Sequence, residues 1–274
     1  MPGLDEARPT NRESDRISQQ PGRFQFSLRG LLASVAVVAL ICGLSSYWWR
    51  KAEEGRIRKD NLPCMCNLKQ LGVVLWSYRK EHGCFPPAYI CEKNGKPMHS
   101  WRVLILPYLE SGDLYGKYDF SEPWNGPNNR RLATLSADSI PGVFQCPRAG
   151  TKGTFFTNYV AVVGPETMWP GSRSRRLPHG PRSGSQTIML VEVSNSDIHW
   201  MEPRDLTFEQ AIKGIQPETG LGISSKHPNG VIYMNADGSV HLMRRDIDPE
   251  ELRKVLTRDA AQLEVVKARP EGEP

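Results

Sequence analysis

The sequence lacks the short motifs that mark the commonest chemistries. It has no GxSxG elbow, no HExxH pair and no phosphate-cradling P-loop, which removes α/β-hydrolase, zincin and P-loop nucleotide chemistry. Asp237 has none of the evenly spaced acidic partners of an EF-hand; the remaining calcium reading joins Asp237, Asn235 or Glu192 to backbone carbonyls. Cys64 and Cys66 make a CxC without a second CxxC or HxxxH, so the spacing gives no zinc pattern. No catalytic, cofactor-binding or metal residue is assigned from sequence, no cofactor is expected, and the chain reads as a non-enzyme.

A strong charge of one sign is also missing. Lys and Arg number 35 against 30 Asp and Glu, for a net charge of +5. The basic residues are scattered, so nucleic acid is not an expected partner. Their one cluster, Arg173, Arg175, Arg176, His179 and Arg182, lies among Gly, Ser and Pro and reads as a solvated loop. Contact with an acidic polysaccharide is its alternative.

What is present begins with a run of twenty residues without a charge, GLLASVAVVALICGLSSYWW at 30–49. A helix rising about 1.5 Å per residue needs roughly 20 apolar residues to cross about 30 Å of hydrocarbon. A soluble core helix would carry a polar stripe, which Ser34, Ser45 and Ser46 do not make. A signal peptide would be shorter and end in a small-x-small cleavage site. This run ends instead in Tyr47, Trp48 and Trp49, then Arg50 and Lys51, an interfacial aromatic belt with a basic stop. The expected partner of this segment is a lipid bilayer.

The divisions that follow are a disordered cytoplasmic tail at 1–27, a transmembrane helix at 28–49, a juxtamembrane linker at 50–63, a domain at 64–248, and a C-terminal helix and tail at 249–274. Gly55 and Pro63 are expected to break or kink the helix in the linker. Arginines and lysines flank the span evenly, so positive charge alone does not orient it. Cys64, Cys66, Cys84, Cys91 and Cys146 lean towards an exported domain, where disulfides persist.

Within the domain, Leu68, Leu71, Val74, Leu75 and Tyr78 recur every three or four residues, which predicts an amphipathic helix of about 18 residues stopped at Gly83. SWRVLILPYLE at 100–110 fits a strand or a helical turn. NYVAVVG at 158–164 and QTIMLVEV at 186–193 have the composition of buried strands of one sheet. VIYMNADGSVHLM at 231–243 reads as a hairpin on a two-residue Asp237-Gly238 turn, with Asn235 opposite Val240, Tyr233 opposite Leu242 and Met234 facing His241. Leu252, Val255 and Leu256 have helical spacing ahead of a tail expected to fray.

Taken in order, CMCNLKQLGVVLWSYRKEHGCFPPAY, SWRVLILPYLE, DFSEPWNGPNN, FQCPRA, TNYVAVVGPET, GSQTIMLVEV, IHWMEPRDL and HPNGVIYMNADGSV resemble domain of unknown function 1559. These are the prepilin-type, H-X9-DG proteins of planctomycete-type bacteria. The resemblance runs from about residue 64 to 245, and His227, Asp237 and Gly238 supply the name motif. It implies an α+β, pseudopilin-like fold: a transmembrane helix extended into an amphipathic helix that packs on an antiparallel sheet. It also implies a cytoplasmic N-terminal side, a single-pass protein of the inner (cytoplasmic) membrane with its C-terminal domain extracytoplasmic, and other pseudopilin-like subunits or envelope proteins as partners.

Departures from that pattern bear on processing. Gly22 with Phe24 and Phe26 is similar to a prepilin leader junction, yet no Glu stands at the start of the span. Pro63 interrupts the helix, and Cys66, Cys84 and Cys91 fall where the family has other small or polar residues. Cys64 and Cys146 match family positions, so the resemblance implies a bridge from helix to sheet. Such a bridge, closing a loop of about 80 residues, is worth roughly 4 kcal/mol in the chain-entropy model. Cys84 and Cys91 are a second candidate pair, which leaves Cys66 over.

A strand between His227 and Asp237 would hold them at opposite ends, too far apart for an acid–base dyad. Asp237-Gly238 then serves as a turn, with His227 and Pro228 capping the strand or binding a backbone group. Glu192 within an apolar strand requires either a hydrogen-bond partner or an exposed face. The functional reading is a membrane-anchored structural or interaction protein in secretion, surface assembly or adhesion. The rival is a surface carbohydrate-binding module or glycoside hydrolase, with Trp101, Trp124, Trp169 and Trp200 lining a sugar site.

Overall fold

A computed structural model describes residues 28–109, 112–134, 141–177, 186–215, 221–257 and 263–267. The tail at 1–27, Gly22, Phe24 and Phe26 with it, lies outside these residues, as do His179 and Arg182. The chain divides into two units, Met1–Glu53 and Glu54–Pro274. Helix α1 is Leu28–His82, and each unit is described by itself.

In the first unit the helix exposes every large apolar side chain, from Leu28 at 72% to Trp49 at 76%. None of its apolar window is buried. Leaving so much hydrocarbon in water costs about 25 cal/mol per Å², a cost that lipid removes. Ser34, Ser45 and Ser46 donate their hydroxyls to the carbonyls of Leu31, Cys42 and Gly43 at 2.8, 3.0 and 2.9 Å, so each meets its need inside the helix. This segment is a single-pass membrane anchor by length and composition.

The linker expected at 50–63 is helical instead, with Pro63 inside α1. Pro costs a helix interior about 3 kcal/mol. Burying each large apolar side chain returns about 1.5–3 kcal/mol, and Leu68, Leu71, Val74, Leu75 and Tyr78 all lie in the core with Cys64. Several such burials outweigh one proline. The helix ends at His82, and Gly83, at φ +76°, takes the left-handed position beyond it.

The second unit continues through short strands β1 (Tyr89–Cys91) and β2 (Pro97–Ser100), helices α2 (Trp101–Leu104), α3 (Gly112–Lys117) and α4 (Pro127–Thr134), then β3 (Tyr159–Val160), β4 (Val162–Val163) and β5 (Arg173–Arg176). After these come β6 (Ile188–Glu192), β7 (Leu206–Thr207), α5 (Phe208–Ala211), β8 (Val231–Asn235), β9 (Val240–Met243), α6 (Pro249–Thr257) and β10 (Glu264–Lys267). Within segment 100–110, Trp101–Leu104 is helical: the Ser100 hydroxyl accepts the Arg102 N–H, starting α2, and a 3-10 turn follows at Leu106–Tyr108.

The main sheet has the order β3-β6-β8-β9 and is antiparallel throughout. The two strands expected in one sheet do pair, Tyr159 opposite Glu192 and Val160 opposite Val191. The first is shorter than expected, because Val162–Val163 leaves to pair with β7 in parallel. Both faces of the sheet are covered. Ile232, Met234 and Ala236 face the α1 core, while Val231 and Tyr233 join Leu252 and Leu256 of α6 on the other side, the period-2 alternation of a strand. The fold class is α+β, with a long N-terminal apolar helix and antiparallel sheets.

The hairpin register differs by one residue from the sequence reading. Met234 faces Val240, Tyr233 faces His241 and Ile232 faces Leu242. Asn235 N–H donates to Ser239 O and Gly238 N–H to Asn235 O, both at 2.9 Å, so the loop is Ala236-Asp237-Gly238. Gly238 holds the left-handed position at φ +80°, which matches a three-residue loop rather than a two-residue type I′ turn.

Two further expectations change. Arg173–Arg176 is a strand paired with Glu264–Lys267, so Arg173, Arg175 and Arg176 of the basic cluster lie in a paired strand rather than a loop, and residues 264–267, expected to fray, are its partner. Arg175 is buried and donates to the carbonyls of Pro165, Thr167 and Leu263.

Candidate functional site

Four polar side chains from distant parts of the sequence meet in the core. Cys64 sits on the buried stripe of α1, Cys146 just past a 3-10 turn at Gly142–Phe144, Glu192 at the end of β6, and His227 in the loop before β8. All four are sealed from solvent.

Each is held by its neighbours. Asn158 accepts the Cys146 N–H at 2.9 Å and donates to Val193 O at 3.1 Å, fixing the cysteine against the sheet. Tyr159, the cross-strand partner of Glu192, donates its hydroxyl to Cys64 O at 3.3 Å. Ser225 gives its hydroxyl to Glu192 Oε2 at 2.8 Å, and its Oγ accepts the His227 N–H at 3.0 Å. Arg245 donates to His227 O at 2.6 Å.

The sulfurs of Cys64 and Cys146 are 2.8 Å apart. His227 Nε2 stands 3.5 Å from Cys146 Sγ and 3.8 Å from Glu192 Oε2. Cys64 Sγ, Cys146 Sγ and His227 Nε2 all lie within 4.8 Å of one another. Among the described residues, Glu192 Oε1 and His227 Nδ1 have no hydrogen-bond partner. Burial pushes the Glu192 carboxyl up to about 8, with the charge of Cys146 adding to it. The hydrogen bond between the thiols lowers Cys64 and, with burial, pushes Cys146 up to about 12.

Such a group has two outlets. The sulfurs can join by losing two electrons, or two thiolates and an imidazole can hold a soft or borderline cation. All six cysteines stand as thiols here. The contact expected between Cys64 and Cys146 is present without a bond. Cys84 instead turns its thiol to His82 O at 3.8 Å, and Cys91 lies in β1.

The sequence reading placed His227 as a strand cap. Its imidazole instead faces the thiols and Glu192, and the buried carboxylate finds Ser225 and His227 as its partners. The cue available was a histidine ahead of a strand in a chain with two family-matched cysteines; the register that joins them is not encoded locally.

The other end of the H-X9-DG motif grips the same helix. Lys69 Nζ donates to Gly238 O at 3.1 Å and Trp76 Nε1 to Ala236 O at 3.0 Å. Asp237 accepts the Ser239 N–H at 2.8 Å and is a turn former rather than a partner of His227. The calcium set is dispersed: Asn235 pairs with Ile188, four residues along β6 from Glu192, or about 13 Å of strand. Of the tryptophans proposed for a sugar site, Trp101, Trp169 and Trp200 are core residues, and the half-buried Trp124 packs against His199. An open groove of about 1320 Å³ beside α1 is lined by Lys69, Trp76, Lys80, Arg176 and Gly238 among others, and by none of the four cluster residues.

No curated protein and no solved structure matches the chain. Residues 61–183 match the profile of a family described as a protein of unknown function, DUF1559. The matched stretch holds the second half of α1 and both cluster cysteines, and it ends before Glu192, His227 and the Asp237-Gly238 turn. Over residues 61–183, a little under half of its length, the chain is similar to the DUF1559 family.

Proposed function

We propose that this protein is a non-enzymatic, pseudopilin-like subunit of the cell envelope, anchored in the inner membrane with Glu54–Pro274 outside the cytoplasm, and that it works as a structural or interaction component in secretion, surface assembly or adhesion. The observation that carries the reading is the uncharged, wholly exposed run at 30–49 within α1. A body with α1 packed on an antiparallel sheet supports the pilin comparison. So does the burial of Trp101, Trp169 and Trp200, which takes most of the indoles away from any surface sugar site. Its partners are the bilayer and, on this reading, other subunits of the same architecture.

Orientation is tested through Cys66, which is exposed on α1. In spheroplasts of cells making the full chain, a membrane-impermeant maleimide labels Cys66 before lysis if the body is outside. Labelling only after lysis reverses the orientation, and recovery of the chain from the soluble fraction removes the anchor itself.

A further inference from the structure

A structural disulfide accounts for only part of the buried cluster. Two facing thiols need no imidazole beside them, and a carboxylate sealed in apolar surroundings is costly unless something repays its lost hydration. Here a fully buried histidine stands against the thiol pair, and a fully buried glutamate from a further segment stands 3.8 Å behind that histidine, outside the set formed by the two sulfurs and the imidazole. Ser225 serves one Glu192 oxygen, and among the described residues the other has no donor.

One chemistry uses all four groups. We propose that Cys64, Cys146 and His227, completed by Glu192, form a buried structural site for a single zinc ion. Zinc favours four tetrahedral ligands drawn from sulfur, imidazole and carboxylate, with Zn–S near 2.3 Å and Zn–N and Zn–O near 2.0 Å. The edges of such a tetrahedron are about 3.8 Å between sulfurs, about 3.6 Å from sulfur to nitrogen and about 3.3 Å from nitrogen to oxygen. The Cys146–His227 separation of 3.5 Å already fits, and His227–Glu192 at 3.8 Å is about half an ångström long. The sulfurs, at 2.8 Å, must part by about 1 Å. Cys64, Cys146 and the protonated Glu192 carboxyl each lose a proton to solvent as the two Zn–S bonds and the Zn–O bond form, and no electron moves.

The ligands come from α1, the segment after Gly142–Phe144, β6 and the loop before β8. A closed site of this kind ties the helix to the sheet, as structural zinc does in small domains. The sequence hides it because no two ligands lie within a short motif: the intervals are 82, 46 and 35 residues. The inference stands on the cluster alone and does not depend on which side of the membrane the body occupies.

The test uses the full chain in detergent. Its Cys64 and Cys146 are expected to be unjoined as isolated from membranes, and the reduced, metal-stripped protein is expected to bind one equivalent of Co²⁺ with the visible bands of tetrahedral cobalt and thiolate charge transfer. His227→Gln abolishes those bands, Glu192→Gln weakens binding at least ten-fold, and Cys66→Ser changes neither. Circular dichroism of the two ligand variants separates lost binding from lost folding; if either is unfolded, the wild-type spectrum and stoichiometry decide. Isolation of a Cys64–Cys146 disulfide overturns the proposal. So does a reduced wild-type chain that takes up no cobalt, or a folded His227→Gln protein with the wild-type spectrum.

Discussion

Gly72 and Gly238 close on each other across the helix–hairpin contact: a Cβ on Gly72 would lie 3.4 Å from Gly238 Cα and 2.9 Å from Met234 Sδ. With Lys69 and Trp76 bonded to the same turn, this is where one end of the H-X9-DG segment meets α1. The other is at Cys64, eight residues or about 12 Å earlier along the helix, where His227 faces the thiols. The motif is a docking strand whose two ends grip one helix.

That contact gives a graded prediction. Gly72→Ala is expected to be nearly neutral, because about 1 kcal/mol of helix propensity offsets the shift required of a flexible thioether. Gly72→Val pushes branched carbon into the Gly238 backbone and is expected to cost about 1–3 kcal/mol. Thermal melts of the full chain in detergent check it; equal losses for the two variants would refute the close approach.

Gly230 is predicted to be the least replaceable residue of the motif. Its φ is +149°, and a Cβ there would fall 2.0 Å from Met243 O. A carbonyl oxygen in a paired strand cannot swing aside as a side chain does. Gly230→Ala is expected to destabilise by about 3 kcal/mol or more, through strain plus a broken β8–β9 end. A melt within about 2 °C of the parent would contradict this.

These positions show what was legible. The stripe Leu68, Leu71, Val74, Leu75 and Tyr78 announced its buried face because a helix repeats locally. The hairpin was visible in Asp237-Gly238, but its register was not: Ala236 suits either a strand end or a loop, and one residue decides which side chains face each other. Arg175 was misread because composition cannot show that three carbonyls wait for its guanidinium. The Cys64–Cys146 contact followed from family positions, whereas Glu192 and His227 joined it only through antiparallel pairing across the sheet.

Stability of the metal-free, reduced protein is predicted to fall as pH rises between about 4.5 and 8. Glu192 ionises near its usual 4.5 when unfolded, while burial pushes it to about 8 in the folded chain. Across that window the folded state holds a proton that the unfolded state has lost, so raising pH favours unfolding. Half-buried His199, lowered by desolvation from 6.5 to about 4, acts in the opposite sense, losing stability as pH drops, but it does so equally in a Glu192→Gln variant. The difference between variant and parent melting temperatures is therefore expected to move in favour of the variant from pH 5 to 8, with chelator present. Parallel curves would exclude a buried, neutral Glu192.

The last prediction concerns Arg102 and Asp205, an ion pair sealed in the core. Asp205 Oδ1 also accepts the Ala161 N–H at 2.8 Å and Trp101 Nε1 at 3.3 Å, so one carboxylate joins α2, the β3–β4 junction and the segment before β7. Burial raises the Asp205 carboxyl and lowers the Arg102 guanidinium, and their mutual attraction opposes both shifts. Removing one member strands the other charge, which costs about 3–5 kcal/mol, whereas replacing both with apolar groups of similar volume is often far milder. Asp205→Asn is accordingly expected to destabilise more than the double variant Arg102→Met with Asp205→Leu, even though the double variant also gives up the bonds to Ala161 and Trp101. Chemical denaturation of the three proteins decides it. A double variant at least as unstable as Asp205→Asn would mean that the backbone and indole bonds, rather than the uncompensated guanidinium, dominate this part of the core.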